Sequence, residues 1–249
     1  MKIVTGIPAS ASASPLAAAA ADGDSGAGAT RWDNATSVLQ ILYPAGTIDP
    51  AQSPVGGADF YAAPLDIDGA TSVTLSYSVF VPADFDWVRG GKMPGLYGGH
   101  TGCSGGNSAI DCFSTRLMWR AGGAGELYLY APKDKQTKAL CGDPRSVCDA
   151  AYGLSVGRGT FQWTAGAWTK VEQTVILNTP GQQDGTFVLL VNGERKIARN
   201  DVFYPSAYSF TGPVRAKIEI TFFGGHEPEY ATPRDQYVWF KDFALAHNS

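Results

Sequence analysis

The chain of 249 residues is 44% hydrophobic and 17% charged, enough apolar material for one large or two small globular cores and too much for a disordered polymer. A formal charge of −4 and a pI near 5.3 remove any global electrostatic reason to bind nucleic acid or an anionic membrane, so an anionic ligand must be drawn by a local patch. No apolar run approaches the roughly 20 residues that span a bilayer; the expectation is a protein that engages neither membrane nor nucleic acid and acts as a monomer.

Residues 1–30 are rich in Ala, Ser and Gly and read as a flexible leader or the remnant of a signal or propeptide segment. No linker follows residue 40 and no repeat is visible, and residues 31–249 are expected to form a single domain. A glycosylation sequon, Asn34-Ala35-Thr36, opens that domain.

From about residue 70 the pattern is alternation, the mark of half-buried strands. Val73, Leu75, Tyr77, Val79 and Val81 share one face, and similar runs occupy 168–178, 186–191, 214–223 and 236–246. Asn192-Gly193 sits between two apolar runs as a two-residue hairpin turn, whose positions need positive φ. With no convincing amphipathic helix, the expected fold is all-β, a two-sheet antiparallel sandwich or β-jelly roll with a concave ligand groove.

Four cysteines form two close pairs, Cys103 with Cys112 and Cys141 with Cys148, spaced to close short disulfide loops. The spacings lack CxxC knuckles and the chain has only three histidines, which favours disulfides over zinc. Disulfides in turn imply an oxidising compartment and a secreted protein.

The informative stretch runs from Gly90 to Tyr130. Strand alternation places Ser114, Arg116, Met118 and Arg120 on one face, with Thr115, Leu117 and Trp119 opposite. After the glycine-rich turn 121–125, Glu126, Tyr128 and Tyr130 alternate against Leu127 and Leu129, so a hairpin would gather Ser, Arg, Glu and Tyr side chains on one polar face. Between residues 114 and 138 five cations (Arg116, Arg120, Lys133, Lys135, Lys138) outnumber two acids (Glu126, Asp134), which suggests an anionic ligand. An ordinary solvated face with cross-strand ion pairs would look the same. Upstream, Lys92 lies in Gly90–Gly99, a stretch too irregular for an ordinary strand and lacking the order of a phosphate loop.

The strings GGKMPGLYGG, CSGG, CFSTRLMWR and GELYLY, followed by Val156-Gly157-Arg158-Gly159, Leu177-Asn178, Phe222-Phe223-Gly224-Gly225 and Phe240-Lys241-Asp242-Phe243, resemble polysaccharide lyase family 14, alginate and glucuronan-type lyases on a β-jelly roll. The resemblance implies that Lys92, Ser114, Arg116, Tyr128 and Tyr130 line an active groove that cuts a polyuronate by β-elimination. Such chemistry needs a cation on the substrate carboxylate, a base for the C5 proton and an acid for the leaving oxygen.

Arg116 is expected to meet the carboxylate. Tyr130 is expected to move the proton, with Lys92 assisting it or serving as the base, and Ser114, Tyr128, Arg120 and His100 to bind the sugar. Tyr and Lys ordinarily titrate near 10, so activity should rise toward alkaline pH. No metal or other cofactor is required. Some alginate-cleaving members carry a histidine shortly before the strand serine, where this chain reads Asn107-Ser108-Ala109. With a likeness to secreted fungal-type members, this tilts the expected polymer toward β-1,4-glucuronan over alginate. Two alternatives stay open: a non-catalytic polysaccharide-binding module, in which the tyrosines stack on sugars, and a glycoside hydrolase, which would need paired carboxylates that no strand supplies. Arg158 either extends the basic groove or caps a strand, and Gln173 is equally undecided.

Overall fold

The computed structural model describes residues 1–8, 11, 37–62, 64–67, 69–100, 102–149, 151–205, 215–220 and 227–248. Among these residues the chain forms two seven-stranded sheets paired antiparallel throughout. The first runs β1 (Lys2–Thr5), β2 (Ser37–Tyr43), β14 (Gln236–His247), β4 (Ser72–Phe80), β10 (Trp168–Ile176), β11 (Gly185–Val191), β12 (Glu194–Val202). The second runs β3 (Ala58–Ala62), β13 (Arg215–Ile220), β6 (Gly95–Gly98), β7 (Phe113–Arg120), β8 (Ala124–Tyr130), β9 (Leu154–Gln162), with β5 (Gly90–Met93) beside β7. This is the expected β-jelly roll.

Alternation explains how the sheets meet. Val73, Leu75, Tyr77 and Val79 of β4, Val171 and Val175 of β10, and Phe187 and Leu189 of β11 turn inward onto Leu117, Trp119, Leu127, Leu129 and Val156 of the second sheet. Full burial of each large apolar side chain contributes about 1.5–3 kcal/mol. Shifting one strand by a residue would move its whole apolar set to the other face, so the pattern also fixes the register.

One polar bridge crosses this core. Thr115 Oγ1 donates to Gln173 Oε1 (2.9 Å), Gln173 Nε2 donates to the Pro94 carbonyl (3.0 Å), and the Tyr77 hydroxyl donates to the same carbonyl (3.3 Å). Gln173 is thus a core bolt between the sheets that pins the Pro94 turn between β5 and β6.

The Asn192-Gly193 hairpin forms with φ of 52° and 81°, as its sequence demands. Both cysteine pairs close as disulfides, Cys103–Cys112 and Cys141–Cys148. Two local readings change. The Gly90–Gly99 stretch is two short strands, because its glycines let β5 and β6 lie flush on β7: a Cβ at Gly95 would stand 2.5 Å from the Arg116 Cα. Where a flexible leader is expected, Lys2–Thr5 pair with residues 37–40. The sequon at Asn34, the segment 222–225 and most of residues 9–30 lie outside the described residues. No helix among the described residues is long and apolar enough to cross a membrane.

Candidate active site

The site lies on the face of the second sheet turned away from the sandwich core, and cross-strand register builds it in rows. Tyr97 stands opposite Ser114, and Ser114 opposite Tyr130. Arg116 stands opposite Tyr128, and Tyr128 opposite Ser155. Lys92 stands opposite Met118, and Met118 opposite Glu126. Two residues of strand separate successive rows, roughly 7 Å. Lys92, Ser114, Arg116, Tyr128 and Tyr130, expected to share a groove, therefore occupy three adjoining rows of one face.

Arg116 is the centre. Its side chain is fully buried, and its Cζ lies 5.1 Å from the Tyr130 ring centroid, 5.2 Å from Tyr128 and 5.8 Å from Tyr97. A guanidinium among aromatic faces gains cation–π attraction that offsets part of its desolvation. Tyr128 and Tyr130 meet edge to face at 5.5 Å, and Tyr97 meets Tyr61 of β3 in the same way.

Both phenol oxygens are held by backbone donors. The Gly106 N–H donates to the Tyr130 hydroxyl (3.1 Å) and the Gly153 N–H to the Tyr128 hydroxyl (3.3 Å). Burial pushes the Tyr128 phenol well above the ordinary tyrosine value; Tyr130, which shares a hydrogen bond with it, adds to the rise, while Arg116 and the Gly153 N–H oppose it. Tyr128 therefore keeps its proton where a solvated tyrosine would lose it.

Ser114 is fully buried and donates to the Cys103 carbonyl (2.9 Å). Its hydroxyl secures the disulfide loop to the strand. His100 lies on that loop's rim, its exposed Nε2 2.9 Å from Asp111 Oδ1. Arg120 bonds Glu126 through Nε and Nη2 (2.9 and 2.6 Å). Cross-strand pairing of Arg and Glu thus occurs, though on a buried carboxylate and not on a solvated face. Lys133 and Lys135 belong to a 3₁₀ turn and Lys138 to a one-turn helix, all after the β8 end of the hairpin.

Tyr97, Tyr61 and Ser155 were not singled out by the sequence; Glu126 and Arg158 were named separately, but their meeting with Ser155 in one cluster was not foreseen. Tyr97 carried a usable signal, its place in GGKMPGLYGG, but the surrounding glycines hid the period-2 pattern. Among the described residues His100, Asp111 and Cys112 have metal-ligand proximity. The Cys112 sulfur is consumed in a disulfide, so this group offers a cation two ligands and does not make a site. His226 lies outside the described residues.

The family model described as polysaccharide lyase 14 matches residues 31–243. The marine alginate lyase of that family from Aplysia kurodai is 32% identical and superposes with a TM-score of 0.74, covering 86% of this chain and 84% of its own. An alginate lyase from Chlorella virus is 26% identical, with a TM-score of 0.69 over 89% of this chain and 88% of its own. Exolysin of Paramecium bursaria Chlorella virus 1 is 25% identical over 173 residues, which take in 62% of this chain and 26% of that protein. The chain thus spans about a quarter of the length of this curated relative. Since the family match runs through both sheets and every row of the outer face, this chain belongs to polysaccharide lyase family 14.

Proposed function

We propose that the enzyme cleaves a 1,4-linked polyuronate by β-elimination on this face. The observation that carries the reading is the buried Arg116 guanidinium within 5.1–5.8 Å of three phenol rings, in the row next to Lys92. Elimination removes the proton at C5, adjacent to the uronate carboxylate, and leaves negative charge spread over that carboxylate. The C4–oxygen bond then breaks, a C4–C5 double bond forms, and the departing oxygen takes up a proton. A cation about 5 Å from the developing charge contributes on the order of 3 kcal/mol at an effective dielectric constant near 20.

Roles follow from chemistry and position. Tyr130, whose oxygen is fixed by the Gly106 N–H, takes the C5 proton, with Lys92 as its cationic partner. Arg116 offsets the carboxylate charge. Tyr128, held protonated by burial, serves as donor to the sugar or to the leaving oxygen. Ser114 positions the loop that carries Gly106. Glycoside hydrolysis fits poorly: strands β5 to β8 contribute one carboxylate to this face, Glu126, and two arginines and a serine occupy it.

Likeness to two alginate lyases favours alginate over the glucuronan toward which the sequence tilts. Two disulfides support a secreted enzyme working in an oxidising medium, and we take it to act as a monomer. Incubation with alginate, β-1,4-glucuronan and polygalacturonate, read by ultraviolet absorbance of unsaturated uronate ends, tests the reading. Alginate should give the strongest signal. Polyuronate binding without any unsaturated product would instead make this a binding module.

A further inference from the structure

Glu126 has two guanidinium partners. It is fully buried, and its Oε1 accepts from Arg120 while its Oε2 accepts from Arg158 Nε (2.8 Å) and from the Ser155 hydroxyl (2.6 Å). One arginine would suffice to neutralise a buried carboxylate. Two leave a net positive charge at this end of the face, and both arginines reach solvent, with side chains 24% and 42% exposed.

The backbone is distorted to achieve this. Leu127 pairs with Val156 and Gly125 with Phe161, so Glu126 alone opposes residues 157–160, a bulge in β9. Gly157 and Gly159 adopt φ of 67° and 73°, and a Cβ at Gly157 would meet the Ile197 side chain at 3.0 Å. Bulges beside active sites re-aim a side chain. Here the bulge swings Arg158 back over Glu126, and the Arg158 N–H is tied to the Arg145 carbonyl (2.8 Å) on the loop stapled by Cys141–Cys148. Arg158 engages Glu126 through Nε, and among the described residues no hydrogen bond occupies its two terminal nitrogens.

We infer that Arg158 and Arg120, braced on Glu126, form a second carboxylate-binding subsite that grips a uronate next to the one being cleaved. The inference deepens the polyuronate reading and rests on it. The Glu126 row adjoins the Arg116–Tyr128 row, roughly 7 Å away along the strands, a distance on the scale of one sugar unit. Arg158's terminal nitrogens offer the planar fork that a carboxylate matches. Arg158 is thus a specificity residue for charged polymers and takes no part in proton transfer.

The test compares wild type with Arg158→Ala, Arg158→Gln and Arg158→Lys on alginate and on oligouronates of decreasing length. Loss of a charged hydrogen-bond pair should raise KM about tenfold or more with kcat kept within about twofold. The rise should shrink as the oligomer shortens, and the salt dependence of KM should flatten. Arg158→Lys, which keeps charge without the fork, should recover part of the loss, and it also serves as the readout should the neutral variants melt early. Unchanged KM on the polymer, or a fall in kcat alone, overturns the subsite. A wild-type enzyme that makes no unsaturated ends from any polyuronate overturns the parent reading instead; calorimetric titration of alginate into wild type and variants would then still decide whether Arg158 binds the chain.

Discussion

Arg116 is the residue on which the proposed chemistry turns, and its burial sets what substitution should do. A lysine would keep the charge but lose the planar group that three phenol rings enclose. Arg116→Lys should lower kcat/KM by about 10–100-fold, the cost of one or two charge-assisted interactions, as read from initial rates. Tyr130→Phe removes the oxygen proposed to take the proton and leaves the ring against Arg116; turnover should vanish while calorimetry still reports polymer binding. Retained turnover would take Tyr130 out of the mechanism. The faces of Ser114, Arg116, Tyr128 and Tyr130 were legible because β7 and β8 alternate strictly. Arg158 was not, since a bulge abolishes the period on which such reading depends. Nor did the sequence disclose that Arg116 would be fully buried, because a basic residue on a polar face reads as solvent-exposed until a loop and neighbouring rings cover it.

The elements that matter most are the short ones. The Cys103–Cys112 loop reaches over the end of β7 and β8, where the Gly106 N–H meets Tyr130, the Gly102 N–H meets the Tyr61 hydroxyl (3.3 Å), and the Cys103 carbonyl receives Ser114. Replacing both cysteines with serine should cost about 2–3 kcal/mol of stability through the regained freedom of a nine-residue separation. Activity should fall further than stability explains, because Tyr130 loses its backbone donor. Rates measured well below the melting transition separate the two effects. On the other flank, Gly95→Ala would drive a Cβ into the Arg116 backbone at 2.5 Å and push β6 off β7. A loss of about 1–3 kcal/mol by denaturant titration is expected. The glycine-rich run was misread as irregular for a physical reason: glycines needed for close approach resemble glycines needed for turns.

At the scale of the whole molecule, buried phenols govern alkaline stability. Burial raises the pKa values of Tyr43, Tyr77, Tyr128 and Tyr204, while the unfolded chain ionises them near 10. Below that pH both states hold their protons and the contribution is fully present. Above it the unfolded chain releases protons that the folded chain keeps, so stability should fall as pH climbs from about 10 toward the raised folded values. Denaturation midpoints across that range check the sign; a midpoint that rises there would contradict it. The sandwich itself was legible from alternation, the Asn192-Gly193 turn and the cysteine spacing, since each depends on local chemistry. Which strands of the second sheet lie side by side was not legible, because that order is set by pairings distant in sequence. Elimination at the Arg116–tyrosine face is tested most directly by digesting alginate in heavy-oxygen water and weighing the fragments. Elimination predicts new non-reducing ends lighter by one water than hydrolytic ends and free of the label, and no cleavage by Tyr130→Phe. Saturated non-reducing ends, with heavy oxygen incorporated at the anomeric carbon of the new reducing ends in short digests, would contradict it.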